Sequence, residues 1–325
     1  MKALFSFWVL LGVTVILIIS GKCSKSNSQS ISPEFISDQP ALQGRLIFHS
    51  YSCYSCNDSK LILYDFKQKK LSVISDSWNI TNPMNAHFSP DGKSIVFMGI
   101  ASTTGWDIFR WRIGSDKAPQ NLTSSFGNTR DEDPKYSFDG LKIIFKQNGI
   151  IKEIDTAGHI LNSFTLPNSE ASMPYYAKGD SVILYSGNES GGKTSDIYKL
   201  SLHSGSVLLV AGNKGVEEYY PIVRDDTSFL FTRWYSVSDY NDQVYLGFLD
   251  GRSAQRLSVN ETGANFSDPF PVNDRYIILS STKNSGVGGY DLYLADIVTG
   301  KKWSLDLYQK GINSTKEELG VSYIQ

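Results

Sequence analysis

Phe88-Ser89-Pro90-Asp91-Gly92-Lys93, followed by Ile95-Val96-Phe97, returns about 48 residues later as Tyr136-Ser137-Phe138-Asp139-Gly140, followed by Ile143-Ile144-Phe145. An Asp-Gly pair between two apolar alternations is the signal of a tight turn joining antiparallel strands. Its return after roughly 40–50 residues marks a β-propeller or another array of repeats.

Working outward, each repeat reads as four short strands, here called a to d from the centre to the rim. Strand a ends in the Asp-Gly turn and strand b is the apolar alternation after it. Strand c opens on an Asp-x-aromatic phrase, seen in Asp107-Ile108-Phe109, Asp196-Ile197-Tyr198 and Asp291-Leu292-Tyr293. A turn such as Asp296 to Gly300 then leads to strand d. This template places strand a near Ala86, Pro134, Pro174, Pro221 and Pro269, which gives five complete units. A sixth is split: strand b at Arg45 to Phe48, c at Leu61 to Phe66 and d at Leu71 to Ser75 lack a strand a, and Glu318 to Ile324 supplies it from the far end of the chain. The expectation is an all-β, six-bladed β-propeller of four-stranded antiparallel blades over 41–325. Its ring closes when the C-terminal strand pairs into the first blade, since an open array would leave two sheet edges exposed.

The 325 residues are 41% hydrophobic and 13% aromatic with a formal net charge of −2, so a large core is affordable and no polyanion-binding bias exists. Nucleic acid is excluded as a partner on this ground, because phosphate binding needs concentrated Lys and Arg. Lys2 precedes an apolar run from Ala3 to Ile19 closed by Ser20-Gly21. This is the layout of an export signal over 1–22, although the run is nearly long enough for an uncleaved membrane anchor. A polar tether follows over 23–40. Cys53 and Cys56 form a close pair that an oxidising compartment would join as a local disulfide tightening its loop, since neither a helix N-terminus nor a second ligand pair supports redox or zinc chemistry.

The Ser-Pro-Asp-Gly phrase, its relative at Tyr136 to Gly140 and the Asp-Ile-Tyr/Phe openings resemble the repeats of TolB-type propellers, which are WD-repeat-like, six-bladed and periplasmic. The resemblance covers residues 41–325, with the later turns drifted to Lys178-Gly179-Asp180, Asp225-Asp226 and Asn273-Asp274. TolB carries a separate N-terminal domain, whereas about twenty polar residues separate Cys23 from the first expected strand here. The region around Cys23 resembles a bacterial lipoprotein signal, which implies lipidation of Cys23 and a membrane-attached protein of the cell envelope, in the periplasm or at the outer membrane.

Strand direction alternates within a blade, so the a–b and c–d turns share one face and the b–c loops and d–a crossovers share the other. The second face carries the longer segments, Ser50 to Lys60, Ala101 to Trp106, Gly187 to Ser195, Tyr235 to Asp242 and Ser281 to Tyr290, and loops of this kind carry function. Tyr51, Tyr54, Trp106, Tyr235, Tyr240 and Tyr290 are expected to form an aromatic rim able to grip a protein or stack on a glycan. The crossovers contribute Asp131, Glu132, Asp133, Glu170, Glu217, Glu218, Asp268, Glu317 and Glu318. If they converge, the channel mouth attracts a basic peptide or a divalent cation, calcium being the ion that such oxygens suit. If they do not, they accept local hydrogen bonds or pair with Arg130, Lys135 and Arg224.

Catalysis has little support. No Gly-x-Ser-x-Gly elbow or second α/β domain is present. His49, His87, His159 and His203 fall on different strands and faces, so four cannot meet at a metal. The expected function is a non-catalytic envelope binding or scaffold module with an envelope protein or glycan as partner. The alternative is a carbohydrate-binding or carbohydrate-cleaving propeller.

Overall fold

The structure is a computed structural model that describes residues 38–101, 105–188, 192–283 and 285–325. Cys23, the export segment and most of the tether lie outside the described residues, as do parts of the loops at 101–106, 187–195 and 281–290.

Among the described residues, 24 strands form six four-stranded antiparallel sheets. The first blade contains β1 (Arg45–Tyr51), β2 (Lys60–Asp65), β3 (Lys70–Val73) and β24 (Glu317–Ile324), in the order β24-β1-β2-β3. The second runs from β4 (Thr81–Phe88) through β5 (Ser94–Ile100) and β6 (Asp107–Arg112) to β7 (Gln120–Asn121). The third holds β8 (Asp131–Tyr136), β9 (Lys142–Gln147), β10 (Ile150–Asp155) and β11 (Ile160–Ser163). The fourth holds β12 (Ala171–Ala177), β13 (Val182–Asn188), β14 (Ser195–Ser201) and β15 (Val207–Ala211). The fifth holds β16 (Glu218–Val223), β17 (Ser228–Ser236), β18 (Asp239–Phe248) and β19 (Gln255–Arg256). The sixth holds β20 (Phe266–Pro271), β21 (Tyr276–Ser281), β22 (Asp291–Asp296) and β23 (Lys302–Ser304). The ring closes as the repeat count requires, with Tyr323 opposite Leu46 and Glu318 opposite Ser50. No helix among the described residues is long and apolar enough to cross a membrane.

The second strands are buried on both faces, as Ile95-Val96-Phe97, Ile143-Ile144-Phe145 and Phe229-Leu230-Phe231 show. That explains their near-continuous apolar runs: each strand touches a neighbouring blade on either side. The repeated turn is held by side chains. Ser89 Oγ donates to Asp91 Oδ1 (2.7 Å), and Asp91 Oδ1 accepts from Lys93 N (3.0 Å). Ser137 and Asp139 repeat the pattern at 2.6 Å, and Leu141 N supplies the backbone donor. Gly92 and Gly140 take positive φ (65° and 73°), where only glycine is unstrained.

Two details depart from the reading above. Strand d of the first blade is Lys70–Val73 rather than Leu71 to Ser75. In the fifth blade Tyr235 to Asp242 is no loop: β17 and β18 continue to the pair Ser236↔Asp239, leaving Val237-Ser238 as the turn. This hairpin therefore carries Trp234, Tyr235 and Tyr240 on strand backbone.

Candidate functional site: a funnel at the channel mouth

Each innermost strand carries a β-bulge near its start, and at each bulge one residue has positive φ. These are Asn85, Asp133, Met173, Tyr220, Asp268 and Gly320, with φ between 50° and 62°. In four of them proline follows (Pro134, Pro174, Pro221, Pro269). The innermost strand has a free edge toward the channel, so a residue without an N–H is tolerated after the bulge. Asn and Asp bear positive φ readily, whereas Met173 and Tyr220 hold a conformation that costs about 1–3 kcal/mol for such side chains. The recurrent bulge turns five side chains toward one axis, while Gly320 yields its place to the His49 ring.

These positions form a floor. Asn85 Nδ2 donates to Asp133 Oδ1 (2.6 Å) and to the Tyr220 hydroxyl (2.9 Å), and that hydroxyl donates to Asp133 Oδ1 (3.3 Å). Asp268 Oδ2 accepts from Gly320 N (3.0 Å). A Cβ on Gly320 would come within 2.4 Å of the His49 ring, so glycine makes room for it. Burial lowers His49 to about 3, and the neutral ring accepts at Nδ1 from Asn85 N. Beneath the floor Lys135 is buried, its pKa lowered by burial against the opposing pull of Asp133 and Asp268. His87 and Tyr175, joined at 3.1 Å, continue the axis below it.

Above the floor opens a funnel of about 650 Å³. One wall is a charge chain: Arg130 Nε meets Glu132 (2.7 Å), Glu132 meets Lys146 (3.3 Å) and Lys146 meets Glu170 (2.8 Å). Tyr51 and Tyr54 stand beside it, and the Tyr54 hydroxyl accepts from Arg130 Nη2 (2.9 Å). The other wall is aromatic and acidic. Asp242 accepts from the hydroxyls of Tyr219 (2.5 Å) and Tyr290 (3.1 Å), next to Trp234, whose ring lies 4.6 Å from that of Tyr240. Glu217 lines the funnel and accepts from Ser195 Oγ (2.5 Å). The lining holds six carboxylates against three cations, Arg130, Lys146 and Lys193. Asp242 has only neutral donors, and burial pushes it up to about 6.

The expected residues thus divide. Glu132, Asp133, Glu170, Glu217 and Asp268 line the funnel with Tyr51, Tyr54 and Tyr290. Asp131, Glu218, Glu317 and Glu318 do not. Asp131 is buried and accepts from Gln147 (2.8 Å); Glu218 is fully buried against Arg233. Glu318 accepts from Ser50 (2.8 Å) and Ser314 (2.6 Å), and Glu317 from Tyr290 N (2.6 Å). The pleat explains this: neighbours on a strand point to opposite faces, so adjacent acids cannot all reach the axis. Among the described residues no three His, Cys, Asp or Glu side chains are grouped closely enough to hold a metal ion. Arg224 meets Asp225 (3.6 Å) and the Asp274 carbonyl (2.9 Å) instead of the crossover acids, whereas Lys135 feels the charges of Asp133 and Asp268 from below the floor. Trp106 is half-buried against the cluster of Ile108, Leu122 and Phe145, and so plugs a gap between blades instead of forming the rim. Tyr235 and Tyr240 are exposed on the hairpin, at 51% and 64%, outside the funnel itself. Asn85, Tyr219, Tyr220, Trp234 and Asp242 were not legible as site residues. The residue before each strand-a proline was the available signal for Tyr220. Cys53 and Cys56 are joined as a disulfide.

The upward shift of Asp242 sets a pH dependence of stability. Its folded pKa of about 6 lies above the ordinary 3.8, so the folded state binds the proton more tightly and stability falls as pH rises through that window. Asp242→Asn is expected to recover on the order of 2 kcal/mol of the stability lost between pH 4 and 7, read as a flatter profile of urea midpoints. An unchanged profile would show that Asp242 is ionised at ordinary pKa.

Neither a protein-family model nor a curated protein matches the sequence. Solved structures do. TolB from Acinetobacter baumannii superposes with a TM-score of 0.65 at 15% identity, covering 86% of this chain and 66% of that one. A putative TolB from Agrobacterium tumefaciens gives 0.59 at 15% identity, covering 87% and 100%. Hydrazine synthase of Kuenenia stuttgartiensis gives 0.68 at 14% identity, covering 87% and 47%. The chain thus spans about two thirds of the Acinetobacter protein and about half of the Kuenenia one. At these identities the likeness is one of fold. The chain has the fold of the TolB-type six-bladed β-propellers.

Proposed function

We propose that this propeller is a non-catalytic binding module of the bacterial cell envelope that holds a protein partner on its loop-rich face, at the funnel. The observation that carries the reading is the junction of the funnel with the fifth-blade hairpin, where Tyr235, Val237 and Tyr240 stand 51%, 59% and 64% exposed beside the Trp234 wall. Projecting aromatic anchors next to a concave polar site are what partner recognition uses. A lipid on Cys23, or an uncleaved 1–22 segment, attaches the module to the membrane. The solved TolB structures support the envelope setting by fold analogy alone. The test is capture of envelope proteins on the immobilised chain, compared with Trp234→Ala/Tyr240→Ala. Loss of a reproducible partner by the variant is expected, and equal capture by both would overturn the reading.

A glycan is the second reading, favoured by the rings of Trp234, Tyr219 and Tyr290, which line the funnel together with Asp242. Binding of purified envelope polysaccharide without product release, in place of protein capture, would select it.

A further inference from the structure

We propose that the Cys53–Cys56 disulfide is a redox-sensitive latch on the funnel: oxidised, it holds Tyr54 against Arg130 across the charged wall, and reduced, it lets that ring leave. The significance of the latch rests on reading the funnel as the binding site, but its mechanics do not.

Tyr54 sits between the two cysteines, at the tip of the segment joining β1 to β2. The segment is fixed at its base without the disulfide. Ser52 donates from N (2.9 Å) and Oγ (2.6 Å) to Asp58, Lys316 Nζ meets Asp58 at 3.2 Å, and Asn57 Oδ1 accepts from Asn82 Nδ2 (2.9 Å). Only the tip, 53–56, lacks such anchors. Within itself it is held by the disulfide, the turn bond from Cys56 N to Cys53 O (3.0 Å) and the contact of Cys53 Sγ with Ser55 Oγ (3.6 Å), and it is tied to the neighbouring blade by the bond from Arg130 to the Tyr54 hydroxyl. That last bond is solvent-exposed and Tyr54 itself is 53% exposed. One such bond contributes less than the conformational entropy of ordering four backbone residues, so the cross-link is what keeps the ring in place. The ring's partner matters too. Arg130 is the first member of the chain Arg130–Glu132–Lys146–Glu170, so Tyr54 is the outer closure of that wall.

Cys56 is exposed and therefore open to attack. A thiolate of a dithiol reductant attacks one cysteine sulfur and the other leaves as a thiolate. The reductant's second thiol then resolves the mixed disulfide, giving two cysteine thiols and the cyclic oxidised reductant. No part of the base is broken by this step, so the change is confined to the tip and the wall it closes.

The test is amine footprinting with the acetyl ester of N-hydroxysuccinimide, read by mass spectrometry at Lys146 on the wall and at Lys142, paired with Glu153 (3.1 Å) on the opposite face. The protein is compared as isolated, after reduction by a dithiol with alkylation and removal of reagents, as Cys53→Ser/Cys56→Ser, and as Tyr54→Ala with the disulfide intact. Several-fold faster acetylation of Lys146 in the last three, with Lys142 unchanged, is expected. An unchanged Lys146 rate overturns the latch, and so does equal acceleration at both lysines, which would make the disulfide a stabiliser of the whole fold. Because no partner enters the measurement, it can fail while partner capture succeeds, or the reverse.

Discussion

A chain ending at Glu318 is expected to lose its cooperative unfolding transition. The missing residues supply most of β24, the innermost strand of the first blade, which pairs with β1 from Arg45 to Tyr51. They bury Val321, Ser322 and Tyr323, and the Tyr323 hydroxyl donates to the Gln43 carbonyl (2.5 Å). Two buried apolar side chains contribute about 1.5–3 kcal/mol each, before the lost ladder bonds are counted. Their removal also bares the β1 edge and the flank of β4 against which β24 packs. A domain whose whole stability is about 5–15 kcal/mol does not absorb that. Urea titration followed by far-UV circular dichroism should give a broad, early transition. A sharp transition at the wild-type midpoint would show that the ring does not depend on this strand.

The second large effect is expected at Arg233→Ala. Arg233 Nη2 lies 2.5 Å from Glu218 Oε1, and the guanidinium stands over the Tyr245 ring at 4.4 Å. Glu218 is fully buried; burial raises it to about 7, and Arg233 is the opposing influence. Removing the cation leaves a buried acid without its charge partner, which costs about 3–5 kcal/mol. The midpoint of thermal unfolding should fall by about 10 °C. The sign with pH is fixed as well. A carboxyl whose folded pKa exceeds its ordinary 4.5 destabilises the fold as it ionises, so the loss grows from pH 4.5 upward and is smallest in acid. Glu218→Gln in the same background should restore much of the loss at neutral pH, because the charge is gone. A loss independent of pH would assign the effect to packing alone.

The blades were legible because they depend on local chemistry: an Asp-Gly turn, an apolar run buried on both sides and an Asp-led third strand each announce themselves within a few residues. Even the split first blade followed from the missing strand a before Arg45. The funnel was only half legible. Crossover acids could be named, but whether an acid faces the axis depends on pleat and bulge, and a one-residue offset sends Glu132 to the wall and Asp131 into the blade. Asp242 was hidden because the fifth-blade hairpin was read as a loop; Ser236, Ser238, Asp239, Asn241 and Asp242 give its tip the polarity of one. Trp106 was assigned to the rim by loop position, while its burial is decided by the neighbouring blade, which sequence proximity does not reveal.

On the proposed function the loop-rich face, and not the face of the repeated turns, holds the partner. Photo-crosslinking amino acids placed in intact cells at Val237 on the funnel hairpin and at Leu141 on the opposite face, both exposed, compare the two directly. A reproducible protein adduct is expected from position 237 and none from position 141. An adduct from position 141 with none from position 237 would contradict the proposed function.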